Sequence, residues 1–351
     1  MNKTWLDILS FLMSFQVTPK KIDRILEAKG RREQQNTAFV APEAVRVSAV
    51  QLSVRKYQNL KDYAGQMYDL AKEAAENGAQ LVVFPEYVGL LVGTMLPNYE
   101  KIIEWVLDGE NKVGLSGVKL APEKVRLLAE TFHHFLYETY MYTFSAIARL
   151  LRIYLVAGTC LFYEDGQLRN RCVVFGPDGE PAGAQEKVSA VGFDKALGVT
   201  PCDVIETIPT PMGDISVVIG SDNYYFECVK IARARGAKII AAPDSREGVT
   251  RDLLRCRADE QNLYTVYSCL TGTREHTTAL AGIFAPVGIT PGRDGFVACA
   301  ADTEPQTVTA RVNLEKLEHV FTESGPNPEF LRGDYLHSYR YCGTPPLGET
   351  E

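Results

Sequence analysis

The sequence lacks the features that mark several whole classes of protein. It has no basic block, no RNP-like aromatic motif and no Cys/His finger spacing, and its net charge is −7, so nucleic-acid binding has little support. No stretch reaches the roughly 18 uncharged apolar residues that a membrane span needs. Neither GxGxxG nor a Walker loop occurs, which disfavours nucleotide binding. What remains, 46% hydrophobic and 23% charged over 351 residues, is typical of a soluble globular protein.

The eight cysteines form no CxxC pairs, and several lie within apolar runs. This pattern favours free buried thiols in a cytoplasmic protein over disulfides. The five histidines show no metal-ligand spacing, so we expect neither a metal nor another cofactor. The apolar opening "TWLDILSFLMSF" is interrupted by Asp7, and no small-residue cleavage site follows. We interpret it as a helix that packs on the domain or on a partner, rather than as a signal peptide.

The chain divides into three predicted parts: an N-terminal helical arm at 1–42, a main domain at 43–322 and an extended C-terminal arm at 323–351. In the main domain, runs with period two, such as "VRVSAVQL", alternate with runs of helical spacing, such as "LKDYAGQMYDLAKEAAENG". Several strand pairs are adjacent in sequence, among them a hairpin that turns at Pro177-Asp178-Gly179. Interleaved strands and helices with such pairs predict an α/β sandwich with mixed sheets.

One stretch looks built to present a catalytic side chain: "GDISVVIGSDNYYFECVKIARARGAKIIAAPDS", residues 213–245. A strand, a tight turn and a helix that begins near Glu227 are a common arrangement for a nucleophile. The tip of the turn, however, is Gly220, followed by Ser221 and Asp222. The alternative reading is structural, with Gly220 permitting a strained backbone angle and Asp222 capping the helix.

Two further residues have a catalytic and a structural interpretation. Glu86 ends the apolar strand of "LVVFPEY", where burial would raise its pKa and suit it to general-base work, although it could also cap the next turn. Lys187 follows the hairpin of "RNRCVVFGPDGEPAGAQEK". In a cleft it would stabilise an oxyanion, whereas a lysine after a strand is more often a solvated surface charge.

The order of this Glu, this Lys and the strand–turn–helix unit resembles the nitrilase or carbon–nitrogen hydrolase superfamily over about residues 45–320. "RCRADEQNLYTVYS" resembles the passage from helix to strand that is typical of this family. Taken together, these segments are most similar to the branch often fused to acetyltransferase domains. The resemblance implies a four-layer αββα sandwich, a homodimer or larger assembly, and a Glu-Lys-Cys triad without a metal. It makes Glu86 the base and Lys187 the oxyanion stabiliser.

The resemblance also implies a departure at the nucleophile. Aligning Asp222 and Glu227 with the motif puts Gly220 at the position of the family's cysteine, and a second acid falls on Asp194. Asp222, Tyr224 and Glu227 are predicted to border the substrate. Our leading hypothesis is a catalytically impaired homologue that binds a small amide, nitrile or carboxylate, with no nucleic-acid or membrane partner.

Two alternatives remain open at this stage. In the first, the protein is an active amidase in which Ser221 attacks, Glu86 is the base and Lys187 stabilises the oxyanion. In the second, it is a scaffold whose N-terminal arm recruits a partner, so that deletion of residues 1–40 would abolish capture of the partner and leave the core folded. In either enzyme-like reading we expect specificity to lie in the insertion 90–135 and the loop 188–203.

Overall fold

The computed structural model describes residues 3–15, 17–31, 41–107, 113–115, 118–245, 250–271 and 279–319. The helices are α1 Lys3–Ser14, α2 Pro19–Glu27, α3 Leu60–Glu76, α4 Tyr99–Leu107, α5 Pro122–Thr131, α6 His133–Leu151, α7 Phe193–Leu197, α8 Phe226–Ala234, α9 Thr250–Gln261 and α10 Lys316–His319. The strands are β1 Val45–Ser53, β2 Leu81–Val83, β3 Val113–Leu115, β4 Val118–Leu120, β5 Tyr154–Glu164, β6 Gln167–Phe175, β7 Pro181–Glu186, β8 Ile215–Val217, β9 Ile239–Asp244, β10 Tyr264–Thr271, β11 Gly282–Phe284, β12 Phe296–Cys299 and β13 Gln306–Val312.

The main strands form two sheets that meet along a short seam. The first sheet runs β13-β1-β2-β5-β6-β7 and the second runs β12-β11-β10-β9-β8. Their only shared pairing among the described strands is between β1 and β10, and it involves three residues at the carboxyl end of each, Gln51–Ser53 and Cys269–Thr271. One buried cluster contains side chains from β1, β2, β5 and β6 of the first sheet and from β8, β9 and β10 of the second, so the two sheets face each other.

Three buried clusters separate four layers, because alternate residues of each strand point to opposite faces. In β1, Val45, Val47 and Ala49 point into the core between the sheets, whereas Val50 and Leu52 point to the layer of α1, α3 and α6. On the far side, α8 packs on the second sheet through a smaller cluster. The helix–sheet–sheet–helix order is the predicted αββα sandwich, which is confirmed.

Local sequence signals explain where the main elements start and stop. The side chain of Asn59 accepts a hydrogen bond from the Asp62 N–H and so caps α3, and Gly78, with φ +85°, ends that helix. The hairpin of β6 and β7 turns through Gly179, which also has a positive φ of +87°. The 3-10 segment Val88–Met95 was not predicted, since it is apolar throughout and has no helical period.

The two N-terminal helices pack on the main domain. Leu6, Leu9 and Met13 of α1, together with Ile22 and Leu26 of α2, are buried in the cluster that covers the first sheet. The opposite face of α1 is exposed, and its large apolar side chains are Trp5, Ile8, Phe11, Leu12 and Phe15. Deletion of residues 1–40 would therefore remove part of the core, so it cannot test partner binding without unfolding, and substitutions on the exposed face are needed instead.

Of the remaining predictions, the C-terminal arm at 323–351 lies outside the described residues. Seven of the eight cysteines, all but Cys342, are described and are free. Within the described part of the chain, no helix is both long and apolar enough to cross a membrane.

Candidate active site

The carboxyl ends of four strands bring the predicted residues together. Both β1 and β5 are parallel to β2, and β7 is antiparallel to β6, which is itself antiparallel to β5, so β2 and β7 run in the same direction. Both β8 and β10 are parallel to β9, and β10 is parallel to β1. Glu86, Lys187, Gly220 and Ser245 therefore all follow strands that end at one edge of the sandwich, where α/β folds place their sites.

The carboxylate of Glu86 is the centre of the cluster. It is buried, and its Oε1 accepts hydrogen bonds from Lys187 Nζ at 2.5 Å and from Asn170 Nδ2 at 3.0 Å. Its Oε2 accepts a hydrogen bond from Ser245 Oγ at 2.6 Å. Both oxygens of the predicted general base are thus held by donors from three different strands or strand ends.

Lys187 bridges two carboxylates. Besides Glu86, its Nζ lies 2.6 Å from Asp194 Oδ2, and both the lysine and the aspartate are buried. The Tyr87 hydroxyl donates to Asp194 Oδ1, and Asn170 Nδ2 donates to the same oxygen at 3.3 Å. The second acid that the sequence placed at Asp194 is therefore in direct contact with the lysine, despite being one methylene shorter than a glutamate.

Burial and charge set the protonation of this pair. Burial raises the pKa of Glu86 to about 7, because the opposing effect of Lys187 is weaker and Asp194 and Asp244 add further negative charge. Burial alone would lower the pKa of Lys187, but Glu86 and Asp194 outweigh it and raise that pKa. The lysine therefore stays charged at neutral pH, while the glutamate can exchange a proton there.

Gly220 touches the carboxylate directly. A Cβ added to Gly220 would lie 2.5 Å from Glu86 Oε2 and 2.9 Å from Oε1, closer than real contacts allow. Its φ is +49°, a left-handed conformation that favours glycine. The Asn223 side chain donates to the carbonyls of Gly220 and Val218 and so fixes the turn. The space next to the Gly220 Cα, where a side chain would begin, is filled by Glu86.

Ser221 and Asp222 are bonded to the loop after Lys187. Ser221 Oγ lies 3.0 Å from Ser189 Oγ, and Ser189 Oγ in turn donates to Asp222 Oδ1 at 2.6 Å. The backbone N–H groups of Val188 and Ser189 also donate to the buried Asp222 carboxylate. Burial raises the pKa of Asp222, against the opposing effects of Lys187 and these donors. The Ser221 hydroxyl thus bonds to Ser189.

Tyr224, Glu227 and Cys228 follow the turn in sequence. Tyr224 is 40% exposed, and Glu227 is half-buried in the first turn of α8, which begins one residue before the predicted start. Cys228 is buried in the cluster beneath α8, in keeping with a packing role. Within the described ranges, no group of three or more His, Cys, Asp or Glu side chains is arranged to hold a metal ion.

Sequence reasoning missed three residues of the cluster: Asn170, Ser245 and Tyr87. Ser245 carries the same signal as Glu86, a polar residue at the exit of a buried strand, and could have been found by it. Asn170 is a buried amide within β6 whose Oδ1 has no hydrogen-bond partner among the described residues. Tyr87 adopts a left-handed φ of +60°, which no sequence pattern indicates for a tyrosine.

The strained turn at Tyr87 depends on a close backbone approach. The Tyr87 N–H donates to Thr159 Oγ1 at 2.8 Å, which ties the turn to β5. A Cβ on Gly158 would lie 2.0 Å from the Pro85 carbonyl oxygen, so only glycine fits between β5 and this turn. A non-glycine residue in this conformation costs about 1–3 kcal/mol and persists where the surrounding structure enforces it, often at functional sites.

This geometry agrees with a family-level match. The carbon–nitrogen hydrolase family model matches residues 46–320. The chain belongs to the carbon–nitrogen hydrolase family. Among curated relatives, a probable hydrolase, YhcX, of Bacillus subtilis is 25% identical over 78% of this chain, which spans half of that protein's length. The omega-amidase NIT2 of Danio rerio is 26% identical over 78% of this chain and 90% of its own.

Solved structures give the same fold. An amidase from Nesterenkonia is 18% identical, with a TM-score of 0.58 over 81% of this chain and 96% of its own. A variant of that amidase in complex with butyramide has a TM-score of 0.58 and 18% identity over 80% of this chain and 96% of that one. The predicted membership of the nitrilase superfamily is thus confirmed by the family match and by the shared fold.

Proposed function

We propose that this protein binds a small amide, nitrile or carboxylate at the Glu86–Lys187 pair and does not form the covalent intermediate of its family. The observation that carries the proposal is at Gly220, where the carboxylate of Glu86 lies 2.5 Å from the position of a missing Cβ. A side chain is what a covalent acyl intermediate needs, and glycine has none.

The binding half of the proposal is supported by Lys187. Its ammonium group is held at the strand edge by two carboxylates, and it stays protonated at neutral pH. A carbonyl or carboxylate oxygen that approaches this edge would meet a fixed positive charge. A Nesterenkonia amidase variant is known in complex with butyramide, which makes butyramide a suitable first probe.

The alternative with Ser221 as nucleophile is not favoured by its contacts. A serine nucleophile needs a base within hydrogen-bond reach, and the Ser221 hydroxyl bonds to Ser189 instead. Ser245 does bond to Glu86, so it is the second hydroxyl that an experiment must examine.

Fluoroacetamide provides the direct test, because in a Nesterenkonia amidase variant its acetamide moiety adds covalently at the active site cysteine. We expect intact-mass and peptide-mapping measurements to find no acetamide adduct on Ser221, Ser245 or Cys228 after long incubation. The exposed Cys256 serves as an internal control for ordinary thiol alkylation. An adduct on any of those three residues would overturn the non-covalent part of the proposal.

Calorimetry tests the binding part. Butyramide should bind saturably to the protein, and Lys187→Gln should remove that binding while the exposed Lys195→Gln retains it. If butyramide, acetonitrile and butyrate all fail to bind to the unmodified protein, the proposal is wrong.

A further inference from the structure

A cavity lies beside the polar cluster. It has a volume of about 290 Å³ and is enclosed by the 3-10 segment Val88–Met95, by α4, α5 and the start of α6, and by Val54 and Leu270 at the carboxyl ends of β1 and β10. It lies largely in the insertion 90–135, where we expected specificity to reside. None of the described residues that line it has a charged side chain.

The polar groups in the lining are few and are mostly satisfied. Thr94 Oγ1 donates to the Leu91 carbonyl at 2.6 Å and accepts from the Tyr57 N–H at 3.0 Å. The Tyr87 hydroxyl points away to Asp194. Tyr99 is the third polar side chain of the lining and is half-buried. An occupant would therefore meet carbon surface and could form few hydrogen bonds, which selects against polar molecules.

Empty space of this size and character is unusual in a protein interior. Interiors are packed to about the density of organic crystals and contain few voids larger than a water molecule. Apolar cavities stay dry and bind apolar molecules. At about 30 Å³ for each water-sized group, this cavity has room for roughly eight to ten carbon atoms.

The rim determines which kind of apolar molecule fits. Gly93, Thr94, Tyr99, Ile103 and Leu120 line the cavity but are only half-buried, so the cavity opens to solvent on their side. A Cβ added at Gly93 would meet nothing within 4 Å, which also indicates open space at the rim. A molecule with one end in water and a hydrocarbon chain inside satisfies both the rim and the interior.

We propose that this cavity binds the alkyl chain of a medium-chain amphiphile, at a site distinct from the Glu86–Lys187 pair. Tyr87 is the wall between the two, since its ring lines the cavity and its hydroxyl holds Asp194. The inference does not rest on the proposed amide-binding function.

A series of n-alkanols from butanol to decanol tests it by calorimetry, at concentrations below aggregation. Affinity should rise by about fourfold for each added methylene and level off near eight to ten carbons, when the cavity is full. Ala129→Leu adds bulk at the buried wall of the cavity and should weaken octanol binding by about tenfold or more. Gly93→Leu, at the open rim, is a second occluding variant should the first fail to fold.

Lys101→Leu is the matched control, because it adds the same side chain on the exposed face of α4 and should leave octanol binding unchanged. Equal loss in Ala129→Leu and Lys101→Leu, or no dependence on chain length, would overturn the inference. Saturating butyramide should not displace octanol, and displacement would mean that the chain occupies the Glu86–Lys187 site. If butyramide does not bind and octanol does, the proposed function fails and the alkyl site stands.

Discussion

The two halves of the candidate site differ in what their side chains are bonded to. In the half carried by β2 and β7, Lys187 bonds both to Glu86 and to Asp194. In the half carried by β8, Gly220 offers only backbone, and Asp222 bonds to the loop after Lys187. The paired buried charges thus lie in one half, whereas the contacts of the other half hold the loop after Lys187 in place. This difference is what we expect of the proposed binding site without a nucleophile.

The largest effect should come from removing the charge that both carboxylates share. Lys187→Met leaves Glu86 and Asp194 buried without their cation, so we expect a loss of about 3–5 kcal/mol in the free energy of unfolding. Denaturant unfolding measures it. Lys195→Met, on an exposed lysine of the neighbouring α7, should change stability by less than about 0.5 kcal/mol. Similar losses in both variants would contradict the assigned role of Lys187.

The pH dependence of stability tests whether the pKa of Glu86 is raised in the folded protein. Because its pKa is raised in the folded state, the folded protein binds a proton more readily, and this stabilisation is present below pH 4.5 and is lost as pH rises through about 7. A rise of the Glu86 pKa from 4.5 to about 7 corresponds to about 3 kcal/mol in the free energy of unfolding. The stability of the unmodified protein relative to Glu86→Gln should fall by up to that amount between pH 4.5 and 8. A relative stability that is flat or rises over this range would show that burial does not dominate at Glu86.

A side chain introduced at residue 220 tests how closely the Gly220 turn approaches the Glu86 carboxylate. Gly220→Ala puts a Cβ against the Glu86 carboxylate at a left-handed φ, so we expect a loss of about 2 kcal/mol. Gly93→Ala, where a Cβ meets open space, is the matched control and should be neutral or slightly stabilising. A neutral Gly220→Ala would mean that Glu86 can leave the space beside residue 220.

The smallest effect is expected at Ser221. Ser221→Ala removes one hydrogen bond, to Ser189, and should cost about 1 kcal/mol in stability. Butyramide binding measured by calorimetry should be unchanged. Ammonia release from butyramide by the unmodified protein that is lost in Ser221→Ala would revive Ser221 as the nucleophile.

The same comparison explains which parts of the site the sequence could predict. Glu86, Lys187 and Gly220 stand at strand ends, where local patterns and the family's order of motifs fix their position. The contacts of Ser221 and Asp222 depend on how the loop after Lys187 folds back on the turn, which no local pattern encodes. Asn170 and Ser245 reach Glu86 from 84 and 159 residues away in sequence. The strand-exit position of Ser245 is a local signal, but the contact of either residue with Glu86 arises only when the sheets assemble.

In the fold, too, features with local signals were predictable and features that depend on tertiary packing were predictable only in part. Strands of alternating pattern and the capped α3 were predictable, because their signals are local. The packing of α1 on the domain was one of two alternatives predicted from the apolar opening, and the structure packs both α1 and α2 into the core. The cavity beside Tyr87 arises from the joint packing of several elements and has no signature in the sequence.

Ammonia release from butyramide in a single turnover, with protein in excess, shows directly whether the protein forms a covalent acyl intermediate. We expect release no greater than that of Lys187→Met under the same conditions, because Gly220 has no side chain to form an acyl intermediate and the Ser221 hydroxyl bonds to Ser189. A burst of ammonia that approaches the concentration of protein, and that disappears in Lys187→Met, would contradict it.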